Sequence, residues 1–244
     1  MLSFVANSWL ALLVTAVTAY LLGSTNWAII ITRVFAHKDI RQMGSGNAGA
    51  TNVLRSQGVV LAMLTLIGDV GKGVLAAFAG GWIMAGMQLS PGETPMLSRE
   101  ALVFVGHYVA GLFVVLGHLY PVFHGFRGGK GVAATMGLLF VLDWRMALMC
   151  GGLFLITVAV SRMVSLGSVL AMSYVPVLTF VLRRWADDMS FEAVVFCTVL
   201  SGLVGLIVIF KHGSNMRRIA EGTESRIGES AKTAQPASDT TEEE

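Results

Sequence analysis

The sequence predicts an all-α, polytopic integral membrane protein of about seven transmembrane helices, with the N-terminus outside and the C-terminus in the cytoplasm. Three observations predict it. Of the 244 residues, 55% are hydrophobic and only 13% are charged, and the mean hydropathy is +0.70, a composition foreign to soluble globules. Apolar runs near the roughly 18–20 residues needed to cross hydrocarbon recur along the chain, and the short clusters between them hold nearly all the charge. Lys and Arg divide unequally between alternate connections: twelve fall on one side and four on the other, with Lys72 inside an apolar run left out. Positively charged connections stay in the cytoplasm.

Taken in order, the runs place helices at about 5–34, 57–88, 100–122, 131–142, 146–161, 166–183 and 190–211. The first lacks a basic leader and an Ala-x-Ala-like cleavage site, so it reads as a retained span. The fourth is short for a span without help from Gly129 to Val132, and only Asp143, Trp144 and Arg145 part it from the fifth, so a re-entrant hairpin is the alternative there. An odd number of spans agrees with termini on opposite sides. Residues 1–221 form a single transmembrane catalytic domain in this reading. Residues 222–244, rich in Ser, Thr, Ala and Glu, form a disordered cytoplasmic tail with no assigned chemistry.

Several function classes are disfavoured. Net charge is +2 and no basic stripe is interleaved with aromatics, so nucleic acid is not a partner. Cys150 and Cys197 lie in apolar runs without a Cys or His at ligand spacing, and Asp69 and Asp143 are the acids of the span region, so no metal or cofactor is expected. His107 beside Tyr108 reads as a packing residue. Asp69 and Lys72 share one helical face three residues apart. Glycines at 68, 71 and 73 let a neighbouring helix approach them, which is a sufficient structural reason for a buried pair, with a ligand role as the alternative.

The chemistry gathers in the cytoplasmic connections. Gly44-Ser45-Gly46-Asn47-Ala48-Gly49-Ala50-Thr51-Asn52 combines exposed backbone amides with hydroxyl and amide side chains, and opens a helix from Val53. Such a loop wraps an anion. Arg127-Gly128-Gly129-Lys130-Gly131 sets a point charge among glycines at a helix start, a phosphate-binding arrangement without Walker spacing. Arg162 to Ser168 and Lys211 to Arg218 each place a cation beside hydroxyl, amide or imidazole groups. Turn formation and membrane anchoring explain each cluster singly. Four clusters on one face suggest a phosphate-handling site at the membrane boundary.

These segments resemble a known family. Gly-Ser-Gly-Asn-Ala-Gly-Ala-Thr-Asn-Val at 44–53, Gly-His-Leu-Tyr-Pro-Val-Phe followed by Arg-Gly-Gly-Lys-Gly-Val-Ala between 117 and 133, Ser-Leu-Gly-Ser at 165–168, and His212 to Arg218 with Glu221-Gly-Thr-Glu224 are similar to the bacterial acyl-phosphate glycerol-3-phosphate acyltransferases, the PlsY family. Gly213 stands where a basic residue is more usual, and Met163 where an aromatic is common. The resemblance implies a membrane enzyme of phospholipid synthesis. It would transfer a fatty acyl group from acyl phosphate to the sn-1 hydroxyl of glycerol 3-phosphate, giving lysophosphatidic acid and phosphate on the cytoplasmic side of the inner membrane.

Carried over by position, the resemblance marks Lys130, Ser45, His212 and Asn215 as catalytic. It marks Gly46, Asn47, Thr51, Asn52, Arg55, Gly128, Gly129, Gly131 and Ser165 or Ser168 as substrate-binding. A mixed anhydride carries its own good leaving group, so positioning and charge stabilisation supply the rate. If a base acts, His212 is the first candidate and His118 the second. No His-x-x-x-x-Asp pair begins at either His107 or His118. The expected partners are both substrates and membrane lipid, and docking of an acyl-phosphate-producing enzyme on the cytoplasmic face is left open by the sequence. A transporter for a phosphorylated metabolite is the alternative class, against which the segment 36–55 has no counterpart after residue 140.

Overall fold

The computed structural model describes residues 2–87 and 99–228, with side chains from Ser8 onward. The connection at 88–98 and the tail from 229, including Lys232 and most of the expected disordered segment, lie outside the described residues. Among those described there are ten α-helices and no strand. In chain order they are α1 (Leu2–Ser24), α2 (Trp27–Ala36), α3 (Ala50–Gln57), α4 (Val59–Met87), α5 (Arg99–Leu119), α6 (Val132–Leu142), α7 (Trp144–Ser161), α8 (Val164–Val181), α9 (Phe191–Lys211) and α10 (Gly213–Ala220). Six stretches are long and apolar enough to cross a membrane, the first combining α1 with α2, and α6 is a shorter apolar helix. The expected count of about seven therefore resolves into six such stretches plus α6, which at 11 residues reaches only about 16 Å.

The first apolar run is not continuous. It breaks at Thr25 and Asn26, where Asn26 becomes the N-cap of α2 by accepting from the Ile29 amide at 3.1 Å. The break leaves carbonyls at the end of α1 without helical donors, and the ammonium of Lys72 answers them. Its Nζ lies 3.0 Å from Gly23 O and 2.8 Å from Thr25 O. Lys72 also pairs with Asp69 at 2.9 Å. The intramembrane pair of the sequence thus works as a cap on a broken helix, where a cation suits the negative end of the dipole.

Glycines set the packing around α4. A Cβ on Gly73 or Gly137 would collide with backbone of α6 or α4 respectively, and one on Gly80 or Gly106 would collide across the α4–α5 contact. Helices that meet backbone to backbone gain dispersion contacts that bulkier residues would forbid. Farther along the chain, α8 packs against α7 and α9. The buried core runs from Ala76 and Tyr108 through Leu138, Met146 and Cys150 to Met172, Cys197 and Val208, so both cysteines are buried core residues as expected. His107 is buried against the rings of Phe78 and Phe104, the packing place expected for it.

The separator Asp143–Arg145 is part of a closed charge cluster. Asp143 caps α7 by accepting from the Arg145 amide at 2.9 Å. Arg145 pairs with Asp143 and Asp187, each at 2.7 Å. Arg183, in the π-helical turn that follows α8, meets Asp187 at 2.5 Å and Asp143 at 3.3 Å. It also donates to Leu142 O at 2.7 Å, closing the end of short α6, and lies over the Phe104 ring.

Candidate active site

The first wall of the site is the loop before α3. Helix α3 begins at Ala50, three residues earlier than the sequence suggests, so Thr51, Asn52 and Arg55 sit on the helix itself. Asn52 is buried and shapes the loop. Its amide nitrogen shares its two hydrogens among Met43 O at 2.9 Å, Asn47 O at 3.0 Å and Ile40 O at 3.2 Å, while its oxygen accepts from the Ser45 amide at 3.1 Å. Gly44 and Gly46 take left-handed φ of 54° and 70°, a conformation that costs a side chain about 1–2 kcal/mol. Asn52 is therefore the scaffold of the loop, and the start of α3, at Ala50 and Thr51, lines the cavity beside it, where first-turn amides lack helical acceptors.

The second wall is Gly128–Gly131. The amides of Gly128 and Gly129 bond to the carbonyls of Leu119 and His118 at 3.2 and 3.1 Å, pinning the segment to the end of α5. Gly131, with φ of 88°, turns the chain into α6. Lys130 between them reaches across to Asn215 Oδ1.

The third wall comes from α8, α10 and the segment beyond α10. His212 caps α10, and its Nδ1 donates to Val208 O at 2.8 Å. That bond leaves Nε2 as the acceptor. Asn215 Nδ2 donates to Glu224 Oε1 at 2.7 Å, as does Ser165 Oγ, and Arg218 Nε donates to Glu224 Oε2 at 2.8 Å. Ser168 Oγ donates to Val164 O in its own helix at 2.8 Å. Glu224 belongs to the segment read as an inert tail. Instead it is buried at 7% exposure, and Ile227, three residues on, donates its amide to Arg162 O at 2.8 Å.

The three walls enclose a cavity of about 1090 Å³ that all fourteen sequence-selected residues line. Its lining combines Ser45, Gly46, Asn47, Thr51, Asn52, Arg55, Gly128, Gly129, Lys130, Gly131, Ser165, Ser168, His212 and Asn215 with the apolar Met136, Phe154, Leu155 and Met172 and with Gly151. Such a lining suits a ligand with a charged head and a hydrocarbon tail.

Burial holds the Lys130 ammonium down to about 8, with Glu224 opposing and Arg218 and Arg55 adding to the effect. Burial also lowers His212, to about 4, against the Val208 carbonyl that favours its cation. His212 is therefore neutral at neutral pH. Burial raises the Glu224 carboxyl, but hydrogen bonds from Ser165, Asn215 and Arg218 outweigh it, and the net shift is downward. Among the described residues no three His, Cys, Asp or Glu side chains converge as a metal site.

Residues 13–222 match the family model described as glycerol-3-phosphate acyltransferase. The chain belongs to the glycerol-3-phosphate acyltransferase family. Curated members include proteins of that name from Jannaschia sp. (strain CCS1), 39% identical over 95% of this chain and 100% of the relative, and from Pseudomonas aeruginosa (strain LESB58), 39% identical over 86% of this chain and 96% of the relative. The fold also matches the crystal structure of PlsY (YgiH), an integral membrane glycerol 3-phosphate acyltransferase in its glycerol 3-phosphate form. The TM-score is 0.70 at 32% identity, covering 89% of this chain and 96% of that one. These likenesses make the chain a multi-pass integral membrane glycerol-3-phosphate acyltransferase family member.

The lining of this glycerol-3-phosphate acyltransferase cavity goes beyond the individual residues that sequence reasoning selected. Glu224 and Arg218 line it, and so do Lys211 and Ser214. Glu224 bonds to Ser165 across 59 positions, a separation that carries no local signal. Lys211, for which anchoring is the alternative to a site role, has its ammonium 4.0 Å from the centre of the Tyr120 ring. His118, the second base candidate, is bound to Lys72 at 2.8 Å.

Proposed function

We propose that this protein transfers a fatty acyl group from acyl phosphate to the sn-1 hydroxyl of glycerol 3-phosphate, giving lysophosphatidic acid and phosphate for phospholipid synthesis. The reaction takes place on the cytoplasmic side of the inner, or plasma, membrane. One observation carries the reading: a single cavity is lined both by cationic, amide-rich segments and by the apolar side chains of Met136, Phe154, Leu155 and Met172, as a phosphate-bearing acyl donor requires. The orientation rests on the clustering of basic residues at the site end. The domain reading places catalysis within residues 1–221, extended by Glu224.

Lys130 and the amides beginning α6 neutralise the acyl phosphate, with Gly128, Gly129 and Gly131 letting the phosphate approach the backbone. Arg55, Ser45, Gly46, Asn47 and Thr51 hold glycerol 3-phosphate, Asn52 holds their loop, and Ser165 and Ser168 line the same cavity. Asn215 orients Lys130. The sn-1 oxygen attacks the acyl carbon, the acyl carbon–oxygen bond to phosphate breaks, and the hydroxyl proton ends on the released phosphate. His212, with a pKa of about 4, is a weak base, so it accepts the hydroxyl hydrogen bond through Nε2 and aims the oxygen while the phosphate takes the proton. The exposed rings of Phe123 and Phe126, on the connection carrying Arg127, form the face on which an acyl-phosphate-producing enzyme docks.

The test is product formation by purified protein given palmitoyl phosphate and glycerol 3-phosphate, with palmitoyl-CoA as the parallel donor. Lysophosphatidic acid from palmitoyl phosphate alone supports the reading. No product from either donor contradicts it and favours transport of a phosphorylated metabolite.

A further inference from the structure

The cavity wall includes Asp69 and His118, two buried groups that the proposed reaction leaves without a task. His118 Nδ1 lies 2.8 Å from Lys72 Nζ, well inside hydrogen-bond distance, and 3.5 Å from Asp69 Oδ1, so the nearer group, the ammonium, is its hydrogen-bond partner. An ammonium has only hydrogens to offer, so Nδ1 is the acceptor and the ring's proton is on Nε2. That nitrogen sits beside Gly129: a Cβ there would collide with Nε2 and with the carbonyl of Ala48. Gly129 donates its amide to His118 O at 3.1 Å, and Asn26, next to the carbonyl that Lys72 caps, donates to Ala48 O at 3.3 Å. The anion loop at 44–49 and the segment bearing Lys130 thus converge on His118, and Lys72, backed by Asp69, holds the ring.

We propose that His118 is a substrate-binding residue, a neutral imidazole whose Nε2–H donates to a phosphate oxygen in the cavity, and that Lys72 and Asp69 are the positioning residues that fix its tautomer. A neutral donor at this place adds a directed hydrogen bond without a second buried positive charge beside Lys72. It follows that His118 is no base at Nε2, which has no lone pair to give. The two buried histidines of the site carry opposite tautomers: His212 is protonated on Nδ1 and accepts at Nε2, whereas His118 accepts at Nδ1 and donates from Nε2.

The inference rests on the proposed transfer reaction for its substrate, and two experiments separate the two. The first compares purified wild type, His118→Phe and His118→Gln, with KM for palmitoyl phosphate and for glycerol 3-phosphate measured separately. His118→Phe should raise one of the two KM values about tenfold or more, the cost of a hydrogen bond to a charged group. His118→Gln, which keeps an N–H near the Nε2 position, should recover most of it, and the KM that moves tells which phosphate is bound. Equal losses in both variants, or no change in His118→Phe, would overturn the assignment; an inactive wild type removes the reaction itself. The second experiment is nitrogen NMR of the imidazoles in the full chain, assigned by the same variants, and it needs no turnover. A neutral His118 protonated on Nε2, beside a His212 protonated on Nδ1, is the expected pattern, and Lys72→Met should release the His118 preference. A His118 protonated on Nδ1, or on both nitrogens, contradicts the proposal.

Discussion

Two ends of the helical bundle bury charge, and they do it differently. At the far end, Asp143, Arg145, Arg183 and Asp187 neutralise one another, and each guanidinium meets a carboxylate. At the site end the cations exceed what the acids use. Asp69 is matched by Lys72 and Glu224 by Arg218, while among the described residues Lys130 and Arg55 close no ion pair and hydrogen-bond to the Asn215 amide and the Ser225 carbonyl. A buried ion pair that closes on itself is structure, because breaking it strands a charge. A surplus cation in a walled cavity is a place for an anion. The contrast separates motif from scaffold without reference to any relative.

The comparison can be broken from either end. The largest effect is expected for Lys130→Ala, which should cut transfer by roughly 10³-fold, the scale of losing a preorganised charge contact. Its thermal midpoint in detergent should stay near wild type. Retention of activity would misplace the cationic centre. At the other end Arg183→Met should destabilise the protein by about 3–5 kcal/mol, because Asp143 and Asp187 lose a partner and Leu142 O loses its donor. Thermal unfolding in detergent reads this, and the protein that remains folded should keep its KM values. Arg55→Ala should raise KM for glycerol 3-phosphate by roughly 10–100-fold with little change for the acyl donor, and equal changes in both would remove its assignment to one substrate.

The smallest effect concerns pH. Burial lowers the Lys130 ammonium to about 8, so kcat/KM should fall as pH rises through about 8 and the group loses its charge. Lys130→Arg should move that limb upward or remove it. His212, at about 4, stays neutral from pH 5 to 8, so no acid limb near the usual histidine value is expected from it. A limb near pH 6.5 that disappears in His212→Gln would restore His212 as a base.

The same contrast explains how far the sequence could be read. The phosphate-facing clusters are local in sequence: glycines, amides and a lysine within nine or ten positions declare an anion site, and the cavity gathers all of them. Hydropathy likewise marks the spans, since lipid imposes length and apolarity on each alone. What escaped depends on partners far apart. The break at Asn26 carried a cap signal, an amide residue just ahead of an apolar run, yet hydropathy ran through it. The reason a cation lies at Lys72 is visible only once Gly23 and Thr25 are beside it. Glu224 hides in a polar segment that composition marks as disordered, and its worth comes from Ser165, Asn215 and Arg218. Asn52 was found but with another task, because a loop's internal hydrogen bonds do not show in its spelling.

The central claim is that the surplus charge at the site end receives the donor's phosphate. It is tested most directly by titrating a non-transferable palmitoyl phosphonate into purified protein without glycerol 3-phosphate, comparing wild type with Lys130→Ala and Arg183→Met. The account predicts saturable, salt-sensitive binding by wild type, binding weakened by roughly 100-fold in Lys130→Ala, and wild-type affinity for the folded fraction of Arg183→Met. Undiminished binding by Lys130→Ala would contradict it.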